Sequence, residues 1–120
     1  MYTIAVQSVF SSAHYHSGAD KECKQVHGHN YRVEVQVEAL ELKDNMVVDF
    51  GLVRQVLREA LDPWDHHLLN DLDDFSGMEP TTEIICRKLY NKLSSGFPGS
   101  FSPRRVTIWE TDDCWASYEK

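Results

Sequence analysis

The sequence lacks a hydrophobic run approaching the roughly 18 residues of a membrane-spanning helix. Its first residues do not combine a basic region with an apolar one, as a secretory signal would. Three cysteines, an odd number without close spacing, argue against a disulfide framework. Basic residues are also scarce, with 12 Lys and Arg against 19 Asp and Glu and a net charge of −7. Since nucleic acid is bound by clustered basic residues, we expect a cytoplasmic protein without nucleic acid or membrane partners.

The chain length and the hydrophobic pattern predict one α+β domain over residues 1–120. Alternating apolar residues predict strands over 2–11, 31–40, 104–110 and 114–118. Helical spacing predicts a first helix over 50–61, capped by Asp49, and a second that is capped by Thr81 or Thr82 and ends at about Leu93. The order is ββααββ, an antiparallel four-stranded sheet with two helices on one face. Residues 12–28 and 62–80 are expected to be loops, and Cys86 a core thiol.

The main candidate for chemistry is the pair His27 and His29, which is followed by a predicted strand. In extended chain an i, i+2 spacing directs both side chains to the same side, as two ligands of one metal require. We expect Gly28 to leave room for the metal, and His14, at the end of a neighbouring strand, to be the third ligand. Three imidazoles suggest a catalytic zinc site with an open fourth position. His16 is interpreted as a solvent-facing loop residue.

Cys23 lies close to this histidine pair, and the spacing alone leaves its role open. It is either a fourth zinc ligand, which would make the site structural, or a base or nucleophile beside the metal. A nearby cation lowers a thiol pKa and so favours the reactive thiolate. No role is assigned to Cys114.

A second cluster contains Asp65 and His66, in the acidic loop before the second helix. A carboxylate can fix the tautomer of a histidine, which can then transfer protons. The simpler alternative is a solvated surface loop, and His67 is assigned to it. Glu110, which ends a strand, is suited to binding a guanidine-like edge, such as that of a pterin, through paired hydrogen bonds.

Six segments together resemble the 6-pyruvoyltetrahydropterin synthase family, and within it the bacterial 6-carboxytetrahydropterin synthase branch of queuosine and 7-deazapurine biosynthesis. They are FSSAH, CKQVHGHNY, VVDFGLVR, WDHHLLND, EPTTE and WET, in the family's order along the whole chain. One departure is Trp64, where relatives often have a smaller apolar residue, and which is expected at the rim of the pocket.

The resemblance implies a tunnelling fold whose trimers close a barrel and stack into a homohexamer, a dimer of trimers with active sites between subunits. It implies that His14, His27 and His29 bind zinc. By the same resemblance Cys23 is a catalytic base rather than a ligand, and Asp65 and His66 are its proton-relay partners. Glu110 would anchor the pterin and belong to the relay, and the substrate pocket would be lined further by Thr81, Thr82 and Glu83.

The implied reaction is the zinc-dependent conversion of 7,8-dihydroneopterin triphosphate to 6-carboxytetrahydropterin, acetaldehyde and triphosphate. The alternatives within the family are a 6-pyruvoyl product and a 6-hydroxymethyl product. The last uses a glutamate in the Cys23 loop, where Glu22 stands beside the thiol. An alternative from another class is a non-catalytic, zinc-stabilised scaffold on the same fold, since fold alone does not establish function. A general zinc hydrolase is disfavoured because no HExxH spacing is present.

Overall fold

A computed structural model describes residues 1–16, 25–99 and 101–120. The elements are β1 (Tyr2–His14), β2 (His27–Ala39), α1 (Phe50–Leu61), α2 (Thr82–Gly96), β3 (Arg105–Thr111) and β4 (Cys114–Tyr118). Two short 3-10 helices, Leu69–Asp71 and Asp73–Phe75, lie in the segment between the α-helices. The predicted element order is confirmed. In the described part of the chain, no helix is long and apolar enough to span a membrane.

The four strands form one antiparallel sheet in the order β1-β2-β3-β4. Side chains alternate between its faces, and one face carries buried residues of β2 and β3: Tyr31, Val33, Val35, Val37, Val106 and Ile108. Both helices contact the sheet, α1 through β1 and α2 through β3 and β4. The predicted fold class, with the core between a single sheet and two helices, is confirmed.

Each helix begins where the sequence predicts a cap. The Asp49 carboxylate accepts a hydrogen bond from the Gly51 amide at 2.7 Å, and the Thr81 hydroxyl accepts one from the Ile84 amide at 3.2 Å. Such bonds satisfy amides that have no partner within the helix. Helix α2 runs to Gly96, three residues beyond the predicted end. Cys86 is fully buried, as predicted.

The first two strands are longer than the sequence predicts, and this difference positions the site. Pairing continues from Tyr2 opposite Ala39 as far as His14 opposite His27. Residues 12–14 and 27–28, expected to be loop, therefore belong to the sheet. Backbone hydrogen bonding between two distant segments extends these strands, although their polar side chains give no apolar alternation from which to predict it.

Candidate metal centre and proton-relay site

The strand register brings three predicted metal ligands together at one end of the sheet. His14 and His27 are directly opposite each other, and His29 lies two residues along β2 on the same face. The ring centroids are 4.5 Å apart for His14 and His27, 4.8 Å for His27 and His29, and 5.2 Å for His14 and His29. Their ligand atoms and one from Glu110 all lie within 4.8 Å of one another. These four residues are called the metal group below.

Backbone carbonyls hold two of these imidazoles in one orientation. Nδ1–H of His14 donates to the Pro80 carbonyl at 2.7 Å, and Nδ1–H of His27 donates to the Gln25 carbonyl at 2.8 Å. In each ring Nε2 therefore carries the lone pair, and the Nε2 of His14 has the Tyr31 hydroxyl 3.4 Å away. Metal-binding histidines commonly show this arrangement, because a hydrogen bond to the other nitrogen fixes both tautomer and ring angle.

The His29 ring shows a different feature that also fits a metal. Its Nε2 lies 3.0 Å from Oε1 of Glu110, yet the atom is buried and lacks a geometrically adequate hydrogen bond among the described residues. A hydrogen bond needs alignment as well as a short distance, so this contact with Glu110 does not satisfy the His29 nitrogen. A metal would give this nitrogen the partner that a buried polar atom requires.

Burial favours the neutral form of His14 and His29, which is the form that binds a metal. It lowers the pKa of His14 and of His29, in both cases against the opposing influence of Glu110. Burial alone would raise the Glu110 pKa, but a hydrogen bond from Thr82 and the nearby imidazoles outweigh it and lower the pKa. These shifts favour neutral His14 and His29 beside an ionised Glu110, and imidazole and carboxylate donors suit zinc.

Glu110 lies between the three histidines and a neighbouring cavity. Its Oε1 faces His29, while Oε2 accepts a hydrogen bond of 2.6 Å from the Thr82 hydroxyl. The cavity, about 370 Å³, is lined by Thr82, Glu83, Glu110, Cys114, Trp115 and Ala116. Three of the four predicted substrate-binding residues are therefore brought together, whereas the Thr81 hydroxyl caps α2. The sequence analysis missed Cys114 and Trp115 as lining residues and Glu110 as a potential metal ligand.

The Asp65–His66 pair is held against β1 by the backbone of Ser11. The Ser11 amide donates to Oδ1 of Asp65 at 2.8 Å, and the His66 amide donates to the Ser11 carbonyl at 2.6 Å. Nδ1–H of His66 donates to Oδ2 of Asp65 at 3.0 Å, leaving Nε2 as the proton acceptor. Hydrogen bonds, first from Ser11 and then from His66, lower the pKa of Asp65. The pair therefore has the geometry of an oriented carboxylate and imidazole.

His66 adopts a left-handed backbone conformation, with φ of 59°. Residues other than glycine rarely adopt this conformation, and they keep it where the surroundings enforce it. Ser12 contributes to that enforcement, because its buried hydroxyl lies 2.7 Å from the Trp64 carbonyl and 2.6 Å from the His67 carbonyl. The His66 side chain remains 79% exposed, so the constraint orients a ring that is open to a partner or substrate.

The two clusters occupy different places in one chain. Among the described residues, no hydrogen bond, ion pair or ring contact joins the Asp65–His66 pair to the metal group. A cleft of about 510 Å³ runs beside β1 and β2 and has His29 and His66 among its lining residues. Asp65 and His66 thus lie together as predicted. Within the described residues they do not contact the metal group directly.

Several interpretations of single residues need correction or lie outside the structure. Cys23 is outside the described residues. His16 is not simply solvent-facing, because its Nε2 is buried and its ring lies 4.7 Å from that of His14. Gly28 does not make room for the metal: it alternates with the two histidines, so it faces the other side of β2. Trp64 is fully buried in the core rather than at a pocket rim.

Comparison with known proteins identifies the fold and family. A family model described as 6-pyruvoyl tetrahydropterin synthase matches residues 3–120. The chain is 33% identical to a putative 6-carboxy-5,6,7,8-tetrahydropterin synthase of Archaeoglobus fulgidus, over 98% of this chain and 95% of that protein. It is 30% identical to a dihydroneopterin monophosphate aldolase of Pyrococcus furiosus, over 92% and 90%.

A solved structure gives the same result. The 6-pyruvoyl tetrahydropterin synthase of Caenorhabditis elegans superposes with a TM-score of 0.87 at 28% identity, over 99% of this chain and 95% of that one. This match confirms the tunnelling fold predicted by the resemblance. Together with the family model, which spans nearly every residue, it shows that the chain belongs to the 6-pyruvoyl tetrahydropterin synthase family.

Proposed function

We propose that this protein is a zinc-dependent 6-carboxy-5,6,7,8-tetrahydropterin synthase of queuosine biosynthesis. With the consumption of one water molecule, it would convert 7,8-dihydroneopterin triphosphate to 6-carboxytetrahydropterin, acetaldehyde and triphosphate. The observation that carries the proposal is the position of Glu110. One of its oxygens lies beside His29, and the other accepts a hydrogen bond from Thr82 in the adjoining cavity. A pterin ring held in that cavity would direct its side chain towards the metal group.

His14, His27 and His29 would hold the metal. The ring orientations of His14 and His27, with Nδ1–H bonded to a backbone carbonyl, and the unpartnered Nε2 of His29 support this assignment. Bound zinc would act as a Lewis acid that polarises the substrate's side-chain oxygens. Imidazole ligands carry no negative charge, so they would leave the metal's positive charge available for that task.

Glu110 would anchor the pterin through its guanidine-like edge, which presents two N–H donors to a carboxylate. Its lowered pKa keeps it ionised and able to accept both hydrogen bonds. Thr82 fixes one carboxylate oxygen, and Glu83 adds a second acidic group to the cavity. Thr81 would act indirectly, since its cap sets where α2 begins.

Protons would be moved by Cys23, as general base, and by the Asp65–His66 pair. Asp65 accepts from Nδ1–H of His66 and so leaves Nε2 to take or return a proton at the substrate side chain. The exposure of the His66 ring supports a role at an interface, where it would serve the metal group of a neighbouring subunit. We therefore propose the homohexamer, with active sites between subunits, as the functional form.

The second candidate activity is aldol cleavage of dihydroneopterin monophosphate, which would give a 6-hydroxymethyl product. It is favoured by the 30% identity to the Pyrococcus furiosus aldolase over 92% of this chain. The third candidate activity is formation of a 6-pyruvoyl product, which the name of the Caenorhabditis elegans relative indicates for that protein. A non-catalytic scaffold is less well supported, because it would have no use for an oriented relay pair.

The test is to incubate zinc-loaded protein separately with 7,8-dihydroneopterin triphosphate and with dihydroneopterin monophosphate. Products are identified by mass spectrometry, and acetaldehyde is assayed in parallel. We expect 6-carboxytetrahydropterin and equimolar acetaldehyde from the triphosphate. A 6-hydroxymethyl product from the monophosphate alone would favour the aldolase, a 6-pyruvoyl product would assign the third activity, and absence of turnover with zinc bound would favour the scaffold.

A further inference from the structure

The described residues place a fourth imidazole beside the three of the metal group. His16 follows the end of β1 by two residues and has the same spacing from His14 that His29 has from His27. Its ring centroid lies 4.7 Å from that of His14 and 6.3 Å from that of His27, and both contacts are edge-on. His16 lies just beyond β1, and its nitrogen would have to move inward to join the group whose ligand atoms all lie within 4.8 Å of one another.

The Nε2 atom of His16 is buried and has no hydrogen-bond partner among the described residues. Only three side-chain nitrogen or oxygen atoms of the described residues share this condition, and they belong to His16, His29 and Arg105. Buried polar atoms are nearly always satisfied, and the explanations for an exception are strain, a catalytic role, or a bound water or ion. Two of the three exceptions occur at the same cluster, and one of these is already a candidate ligand.

The backbone next to His16 is anchored rather than left free. The Asn70 side chain accepts a hydrogen bond from the Tyr15 amide at 3.1 Å and donates one to the Tyr15 carbonyl at 3.2 Å. Asn70 belongs to the short 3-10 helix Leu69–Asp71. This two-point contact fixes the chain one residue before His16, as is expected where a ligand must be held in place.

We infer that His16 is a fourth imidazole ligand of the metal in the substrate-free protein. The inference rests on the proposed function, since it adds a ligand to the zinc assigned to His14, His27 and His29. A fourth nitrogen is compatible with catalysis because catalytic zinc sites can become five-coordinate, which leaves a position for a substrate oxygen. Nitrogen coordination would also remove the unsatisfied atom noted above.

The test measures metal binding without substrate. Zinc affinity is determined by chelator competition, and the number of imidazole ligands by X-ray absorption spectroscopy of the zinc-loaded protein. The informative variant is His16→Phe, which removes the nitrogen and retains a planar ring. The matched control is His67→Phe, because His67 is an exposed histidine on a neighbouring segment whose Nδ1–H donates to the Asp65 carbonyl.

We expect four imidazole ligands in the wild-type protein and three in His16→Phe. Loss of a residue that only supports a ligand already lowers metal affinity about tenfold or more, so the loss of a ligand itself should lower zinc affinity by at least about tenfold. His67→Phe should match the wild type, and Asn70→Ala should weaken binding by releasing the backbone at Tyr15. Three imidazoles in both wild type and His16→Phe would overturn the inference, even if affinity fell. Zinc binding that survives His27→Phe unchanged would instead refute the metal site of the proposed function.

Discussion

The Ser12 hydroxyl is predicted to hold the relay segment in its active geometry. Ser12 lies on β1, is 6% exposed, and reaches the carbonyls of Trp64 and His67, on either side of the Asp65–His66 pair. Its single proton can satisfy one carbonyl at a time. His67 has a second donor in the Ala13 amide at 3.0 Å. Replacing Ser12 by Ala therefore deprives chiefly the Trp64 carbonyl, whose surroundings are buried.

The cost follows from those contacts. A net hydrogen bond contributes about 0.5 to 1.5 kcal/mol, and a buried acceptor left without a partner costs about 1 to 3 kcal/mol. Since the change removes one bond and leaves the buried Trp64 carbonyl without that donor, we expect a loss of about 1 to 2 kcal/mol in the free energy of unfolding. With an unfolding entropy of about 2.1 cal/mol/K per residue over 120 residues, Tm should fall by about 4 to 8 °C.

The assay compares Ser12→Ala with Ser11→Ala by calorimetry and by turnover. Ser11 is a suitable control because its hydroxyl bonds to Asn30 in an exposed setting, while its contacts to the relay pair are made by its backbone. We expect Ser12→Ala to lower kcat with little change in KM, and Ser11→Ala to change Tm by less than about 2 °C, as surface substitutions do. Equal effects of the two variants on Tm and kcat would refute the positioning role.

Three further predictions concern the chemistry and its pH dependence. Cys23→Ala should retain zinc and lose turnover, measured by metal analysis and product assay; loss of zinc would make Cys23 a ligand. Asp65→Asn should lower kcat by removing the ionised acceptor of His66 Nδ1–H, while zinc content stays constant; an unchanged kcat would exclude the relay. The folded-state pKa values of His14 and His29 are lowered from 6.5, so the unfolded chain binds more protons below that pH. Metal-free protein should therefore lose stability as pH falls below about 6.5 in a denaturation series, and stability that rises on acidification would contradict the burial argument.

The sequence predicted those parts of the molecule that depend on local pattern. Alternation in β2 placed Tyr31 to Val37 correctly, and Asp49 and Thr81 marked the helix starts through cap chemistry that is local to a few residues. The HxH spacing likewise predicted that His27 and His29 share a face. Each of these signals is carried by residues adjacent in sequence, so a single sequence suffices to interpret them.

The remaining features depend on distant partners. The extension of β1 to His14 requires β2 to pair with it, and the burial of Trp64 requires Phe10, Phe75 and Lys92 to surround its ring. The His16 ring packs against the rings of His14 and His27, and its i, i+2 spacing from His14 was a signal available in the sequence. The contact of Glu110 with both His29 and Thr82 joins three separate elements, and no local pattern encodes such a contact.

The central claim is that the histidine group holds the metal on which the reaction depends. It is tested most directly by removing zinc with a chelator, restoring it stoichiometrically, and measuring 6-carboxytetrahydropterin formed from 7,8-dihydroneopterin triphosphate at each stage. We expect product formation to be lost with the metal, to return with one zinc per chain, and not to return in His27→Ala. Undiminished product formation by the metal-free protein, or full restoration in His27→Ala, would contradict it.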